Sequence, residues 1–262
     1  MNILLNGSQG FMGREVTRLC NEGFRGAHLA FGVDPSANAS ADLPVFNSLD
    51  DVTSTEKVDC IIDFSHHSAT PALIDFAVRN DLPIVIATTG HTSNEEYAIL
   101  KASEKIPVFY SRNMSLGIAL LIELAKTAAT AMPDADIEII EKHHNRKIDA
   151  PSGTAFMIAE GISSVRPDVY ANNGRNGMCR REKNEIGIHA IRMGNIIGEH
   201  EVYICTNSQT ITLKHEAHNR GLFAEGAIAA AEFLIGQEPG FYKMNDMISM
   251  ARRTEDAVIS TD

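Results

Sequence analysis

The chain runs to 262 residues, 44% of them hydrophobic and 22% charged, and carries a formal net charge of −11. That is enough apolar material for one large or two modest domains with full cores, which excludes intrinsic disorder. The acidity, with no run of Lys or Arg interleaved with aromatics, excludes a nucleic-acid partner, so any anionic ligand must be met by a local basic or amide-rich pocket.

In chain order, Met1 leads directly into the apolar residues Ile3 to Leu5 without a basic leader. No segment approaches the ~20 apolar residues of a membrane helix, so no membrane partner and a cytoplasmic location are expected. Apolar runs of strand length follow at 2–6, 28–33, 58–64, 83–88 and 107–110, with amphipathic stretches of helix length between them at 11–22, 69–80 and 93–105. Strands and helices in alternation are the pattern of parallel βαβ units. From Ser115 the pattern changes. A helix over 116–132, a strand over 136–141 and a helix over 154–164 precede a Gly-, Asn- and Arg-rich loop at 171–184, and strands without intervening helices follow. After Arg220 an Ala-rich helix over 222–235 and a short terminal segment close the sequence. Cys20, Cys60, Cys179 and Cys205 form no CxxC pair and read as core fillers in a reducing compartment.

The first motif carrying chemistry is Gly7-Ser8-Gln9-Gly10-Phe11-Met12-Gly13, between the first strand and the first helix. A turn without side chains lets the backbone approach a pyrophosphate, and the amides and dipole of a helix N-terminus stabilise its charge. The spacing GxxGxxG departs from the commoner GxGxxG, and a strand-to-helix turn that binds nothing would look the same. Asp34 favours the ligand: it ends the second strand about twenty residues on, where a Rossmann-type dinucleotide fold places a carboxylate for the ribose hydroxyls. A 2′-phosphate needs a cation, yet Asp34 is followed by Pro35, and Phe11 stands in the turn where Arg would serve. NADH is therefore expected over NADPH, with Arg14 or a more distant Lys left as the cation that could still reach the phosphate.

The second motif is the dense block from Glu138 to Thr154, EIIEKHHNRKIDAPSGT, which couples an apolar strand to a cation-rich loop and a helix start. His143 and His144 titrate near neutrality in their unperturbed form and, with Lys147, offer proton donors and positive charge for carboxylates. Ser152-Gly153-Thr154 opens the helix, where hydroxyls and amides can converge on an anion. A solvated cationic loop followed by an ordinary helix cap would also fit this pattern. Neighbouring histidines on an extended chain point to opposite sides, so no metal site is read here.

These motifs, with Ala87-Thr88-Thr89-Gly90, the run 111–115 (SRNMS), the run 186–200 (IGIHAIRMGNIIGEH) and the run 215–220 (HEAHNR), resemble the 4-hydroxy-tetrahydrodipicolinate (dihydrodipicolinate) reductase family over essentially the whole chain. The resemblance implies an α/β fold: a Rossmann-type doubly wound parallel sheet in 1–115 plus 221–262, and an α+β substrate and oligomerisation domain in 116–220. It implies NADH- or NADPH-dependent reduction of a cyclic hydroxy-dicarboxylate with loss of water, in lysine and diaminopimelate biosynthesis. It further implies that His143 is the acid/base and Lys147 the proton donor, and that His144, Lys147, Gly153 and Thr154 hold the substrate carboxylates. The nucleotide would meet Gly7 to Met12, Asp34, the backbone of Ala87, Thr88 and Thr89, and Ser111, Arg112, Asn113 and Met114. A homotetramer built through the second domain's sheet is also implied. Phe11 and Ala87 depart from the family's frequent Arg and Gly, which puts the NADPH contact in doubt and leaves the hydride chemistry untouched. Two other readings stand beside this one: a different two-domain amino-acid-type dehydrogenase, favoured if the His-His-x-x-Lys block were incidental, and a non-catalytic dinucleotide-binding sensor, whose mark would be loss of a proton donor, whereas His143 and Lys147 are both present.

Overall fold

The computed structural model describes residues 1–36 and 44–250. In chain order the elements are β1 (Asn2–Asn6), α1 (Phe11–Asn21), β2 (His28–Val33), β3 (Val45–Phe46), β4 (Cys60–Asp63), α2 (Thr70–Arg79), β5 (Ile84–Ile86), α3 (Ser93–Ala102) and β6 (Pro107–Tyr110). Then come α4 (Leu116–Ala131), β7 (Asp136–His143), α5 (Gly153–Ser163), β8 (Tyr170–Asn173), β9 (Glu185–Arg192), β10 (Glu199–Cys205) and β11 (Thr210–Glu216). The chain closes with α6 (Gly221–Leu234) and β12 (Gly240–Tyr242). Two compact units divide it, one of residues 1–114 with the described chain from Gly221 onward, the other Ser115–Arg220, so Ser115 falls with the second unit.

The first unit is built on a seven-stranded sheet in the order β12-β6-β5-β4-β1-β2-β3. Every neighbouring pair in it is parallel. A parallel sheet carries helices on both faces, so its central strands are continuous apolar runs; β1, β4 and β5 are buried along nearly their whole length. Leu4, Ile61, Ile84 and Val108 of the sheet pack with Leu73, Phe76 and Ile99 of α2 and α3 in one core. The chain moves outward from β1 through β2 to β3, then returns to β4 and moves the other way. The strand order therefore reverses between β1 and β4, which is where such sheets bind ligands, beyond the carboxyl ends of the strands.

The second unit carries a mixed five-stranded sheet in the order β11-β10-β7-β9-β8. β7 runs parallel to β9 and antiparallel to β10. Alternation along β7 turns Ile137, Ile139, Glu141 and His143 to one face, where Ile137 and Ile139 meet Ile118, Leu121 and Ala125 of α4 and Ala155 and Ile158 of α5. Arg166, just past α5, closes the C-terminal end of α4 by donating to the carbonyls of Ala129 (3.0 Å), Ala135 (3.0 Å) and Met132.

Four expectations need correction. The loop at 171–184 begins as a strand, because Tyr170–Asn173 pairs in parallel with β9 at the sheet edge although its side chains are polar. The terminal segment holds β12, an edge strand on β6, and two residues at Val45–Phe46 extend the other edge. β7 runs two residues past the expected end and carries His143 as its last residue. Of the cysteines only Cys20 and Cys60 are buried; Cys179 is exposed and Cys205 half-buried. Among the described residues no helix is long and apolar enough to cross a membrane.

Candidate active site

In the first unit the predicted nucleotide residues gather at the carboxyl ends of β1, β2, β5 and β6. The glycine turn is sterically compulsory at two places. Gly7 has φ of +79°, and a Cβ there would fall 2.6 Å from the Phe64 carbonyl oxygen; on Gly13 it would fall 2.2 Å from the oxygen of Gly7. The Gly7 amide donates to Val33 O (2.9 Å) and the Gln9 amide to Asp34 Oδ2 (2.9 Å). Those bonds hold the turn against β2. A bound phosphate would accordingly draw its amides from the start of α1, where Gly10 is the N-cap and no side chain closes the first turn. Ser8 is buried, Phe11 is 61% exposed and Met12 lies between these extremes.

Asp34 is buried and accepts at Oδ1 from the Ser36 amide (2.9 Å) and hydroxyl (2.6 Å). Burial opposes its charge, but the bonds from Ser36 and the Gln9 amide prevail and hold the carboxyl below its usual range. Thr88 is tied inward, its hydroxyl donating to Asp63 Oδ2 at 2.8 Å, while Thr89 is exposed and Ala87 buried. The Ser111 hydroxyl donates to Asn113 O (2.7 Å) and accepts from the Asn113 amide (3.2 Å), Arg112 is exposed and Met114 is buried. Asp63 was not anticipated: fully buried, it accepts at Oδ1 from Asn6 Nδ2 (2.9 Å) and Ser65 Oγ (2.6 Å), so it links the ends of β1 and β4 to Thr88. A carboxylate ending the apolar run CIID was its sequence signal.

In the second unit the block 138–154 folds back on itself around Glu141, which has no exposed surface. Glu141 Oε2 accepts from His143 Nδ1 at 2.5 Å and from Arg192 Nη1 at 2.8 Å, and Oε1 accepts from Arg192 Nη2 at 2.7 Å and the Ser152 amide at 2.9 Å. Burial raises the affinity of this carboxyl for a proton, but the His143, Arg192 and Ser152 bonds outweigh it and bring the carboxyl down to about 2. His143 is buried, and its ring stands edge-on to that of His200, with centroids 5.3 Å apart. Burial first, and then the charge of His143, push the His200 imidazole down to about 3, so it is neutral at physiological pH. Burial, followed by the charges of Arg146 and Arg220, likewise lowers the proton affinity of His144. Lys147 follows in the turn, its amide on His144 O (3.1 Å) and its ammonium 2.9 Å from Asp149 Oδ1.

The α5 N-terminus lies beside this cluster through the Ser152 amide. Ser152 itself is 2% exposed; its hydroxyl accepts from the Ala155 amide (3.2 Å) and shares a hydrogen with His200 Nε2 (3.2 Å), so it caps the helix. Gly153 is exposed, with open space where a Cβ would stand, and Thr154 is half-buried. The structure thus brings His143, His144, Lys147, Gly153 and Thr154 into one folded segment and turns the Ser152 hydroxyl inward. Glu141 and Arg192 had no role in the sequence reading. Glu141 had a signal, since alternation along β7 sets it on the apolar face, where a carboxylate needs a partner; Arg192, fifty-one residues away in sequence, stood only within the run 186–200, with nothing there to pair it with Glu141. Among the described residues no group of His, Cys, Asp or Glu could hold a metal ion.

Comparison with known proteins gives the same division. The family described as "Dihydrodipicolinate reductase, N-terminus" matches residues 1–114, and "Dihydrodipicolinate reductase, C-terminus" matches 117–248. A 4-hydroxy-tetrahydrodipicolinate reductase of Caldanaerobacter subterraneus subsp. tengcongensis is 45% identical over 250 residues, covering 95% of this chain and 98% of its own. One from Clostridium novyi is 42% identical over 248 residues, covering 94% and 97%. Among solved structures, a dipicolinate-bound dihydrodipicolinate reductase from Paenisporosarcina sp. TG-14 superposes with a TM-score of 0.79 at 26% identity, covering 93% of this chain and 97% of that one. Two matches that meet near the boundary between the units, with relatives aligned from end to end, make this chain a member of the dihydrodipicolinate reductase family.

Proposed function

We propose that the chain reduces 4-hydroxy-tetrahydrodipicolinate to tetrahydrodipicolinate with loss of water, a step of lysine and diaminopimelate biosynthesis, and that NADH is its preferred hydride donor over NADPH. One observation carries the reading: a single folded segment of the second unit joins a histidine hydrogen-bonded to a buried carboxylate, the turn that carries Lys147, and the start of α5 bonded to the same carboxylate. A cyclic imine with two carboxylates needs cations and amides for its charge and a proton donor for the reacting atom.

The bound nicotinamide supplies the hydride. The chain's residues do the rest. Departure of the ring hydroxyl with a proton from the adjacent carbon, as water, leaves a ring double bond conjugated with the imine; hydride addition to that bond moves an electron pair onto the neighbouring atom, and a proton must arrive there as the charge develops. His143 is the acid/base and Lys147 the proton donor, while Lys147, His144 and the backbone of Gly153 and Thr154 hold the carboxylates. The Ser152 hydroxyl supports that helix end from beneath.

The preference for NADH rests on Asp34, held ionised where a 2′-phosphate would approach, and on a turn whose nearest cation, Arg14, donates Nε to its own Gln9 carbonyl at 3.1 Å. The uncapped start of α1 fits the phosphates of a dinucleotide, and the turn that presents it depends on Gly7 and Gly13, where a Cβ would strike backbone. We place the protein in the cytoplasm, where its four free thiols are stable. We also assign a homotetramer built on the second sheet: α4 and α5 cover one face, and the other presents Ile140, Lys142, Ile191 and Tyr203 beside the buried Glu201. Light scattering of the wild type against Ile191→Asp tests it, four chains being expected and a monomeric wild type contradicting it.

Mass-spectrometric identification of the product tests the function, with the substrate generated in situ from pyruvate and aspartate semialdehyde. Tetrahydrodipicolinate formed in step with cofactor oxidation supports it. Oxidation of an amino acid with no reduction of the cyclic dicarboxylate would assign the chain to another dehydrogenase class, and cofactor binding without turnover would make it a sensor.

A further inference from the structure

Glu141 has two oxygens and four hydrogen bonds, and they reach three elements: His143 on its own strand, Arg192 at the end of β9 and the Ser152 amide at the start of α5. A buried carboxylate so placed does more than balance charge. With Nδ1–H donating to Glu141, the exchangeable nitrogen of His143 is Nε2. Nε2 faces Gly198, where a Cβ would stand 3.1 Å away, so the bare backbone leaves room beside it.

We infer that Glu141 is a positioning residue of the reaction, one carboxylate that fixes the tautomer and orientation of the proton-transferring His143 through Oε2 while anchoring, through Oε1, the helix end that receives the substrate carboxylate. The inference rests on the proposed role of His143.

Charge decides how Arg192 enters. The groups facing His143 are Glu141 from β7, Arg192 from β9 and His200 from β10, with His144 and Lys147 in the following turn. A carboxylate beside an imidazole favours its charged form, and a guanidinium opposes it. Arg192, paired with both oxygens, cancels much of that pull, and His200, neutral in its buried place, adds no opposing cation. Removing Glu141 and removing Arg192 should therefore displace the titration of the site in opposite directions, which a merely structural role for either residue would not do.

The test is the pH dependence of kcat/KM for Glu141→Gln and Arg192→Gln, read at the limb that is lost in His143→Gln. In Glu141→Gln that limb should move to lower pH by about one unit, with kcat reduced about 10²-fold; in Arg192→Gln it should move to higher pH. Limbs that stay in place, or move the same way in both variants, overturn the inference. Because either variant can fail to fold, the wild-type enzyme supplies a second reading: 15N-histidine spectra should show His143 protonated on Nδ1 with Nε2 as the exchanging nitrogen, and protonation on Nε2 alone overturns the inference. A His143→Gln enzyme with full turnover sinks the proton-transfer reading itself and this inference with it; a crippled His143→Gln beside unmoved limbs sinks the inference only.

Discussion

Gly13 in α1 lies directly against the carbonyl of Gly7, so closely that a Cβ on Gly13 would stand 2.2 Å from that oxygen. No side chain fits there without breaking the turn that presents the start of α1. Gly13→Ala should therefore weaken NADH binding at least about tenfold and lower stability by about 1–3 kcal/mol, the range for a steric clash at a packed backbone. Gly10→Ala, whose Cβ would clear the same oxygen by 3.3 Å, should be the milder change in both. Fluorescence titration with NADH and thermal denaturation of the two variants check this, equal effects contradicting it.

Asp34 should set the choice of nicotinamide. Its carboxylate is held charged by Ser36 and the Gln9 amide, and a 2′-phosphate brought beside it meets a like charge worth about 1 kcal/mol or more. The wild type should show a higher kcat/KM with NADH than with NADPH. Asp34→Asn, which keeps an oxygen for the local bonds, should move that ratio toward NADPH by about tenfold. A wild type that prefers NADPH contradicts the assignment.

His200 should make the fold sensitive to mild acid. Its folded-state value of about 3 lies below the ordinary 6.5, so the unfolded chain takes up a proton first and stability falls as pH drops from about 6.5 toward 3. Between pH 7 and pH 5 the loss from this one residue is about 2 kcal/mol. His200→Gln should have lower stability at pH 7 and a flatter dependence over that interval. Urea unfolding at the two pH values measures it, and an unchanged slope would show that His200 is not buried neutral.

Arg166 should be worth more than its charge suggests. It donates to the carbonyls of Ala129 and Met132 at the end of α4 and of Ala135 just before β7. Arg166→Met removes all three bonds and should cost about 1–3 kcal/mol with kcat unaffected at temperatures where the enzyme stays folded.

The sequence made these parts legible to different depths, and the difference is physical. The glycine turn and Asp34 are bound by local geometry: a strand, a turn and a helix within a few dozen residues, each with its own periodicity. The run from Glu138 to Thr154 was legible for the same reason, because His143, Lys147 and the α5 cap are neighbours in sequence before they are neighbours in space. What escaped was either non-local or locally atypical. Arg192 reaches Glu141 only through the pairing of β7 with β9. Residues 171–173 read as loop because they open a Gly-, Asn- and Arg-rich stretch, and pairing with β9 makes them part of a strand that begins at Tyr170. Ser152 has the composition of an anion ligand, and its own helix and His200 draw its hydroxyl inward.

In the proposed mechanism His143 and Lys147 move the proton that hydride transfer requires. Its most direct test is the rate of substrate-dependent NADH oxidation by wild type, His143→Gln and Lys147→Ala, with the NADH dissociation constant measured on each. Each variant should lose about 10² or more in kcat, what a positioned proton donor usually contributes, and should bind NADH as the wild type does. Near-full turnover in both variants would contradict the account.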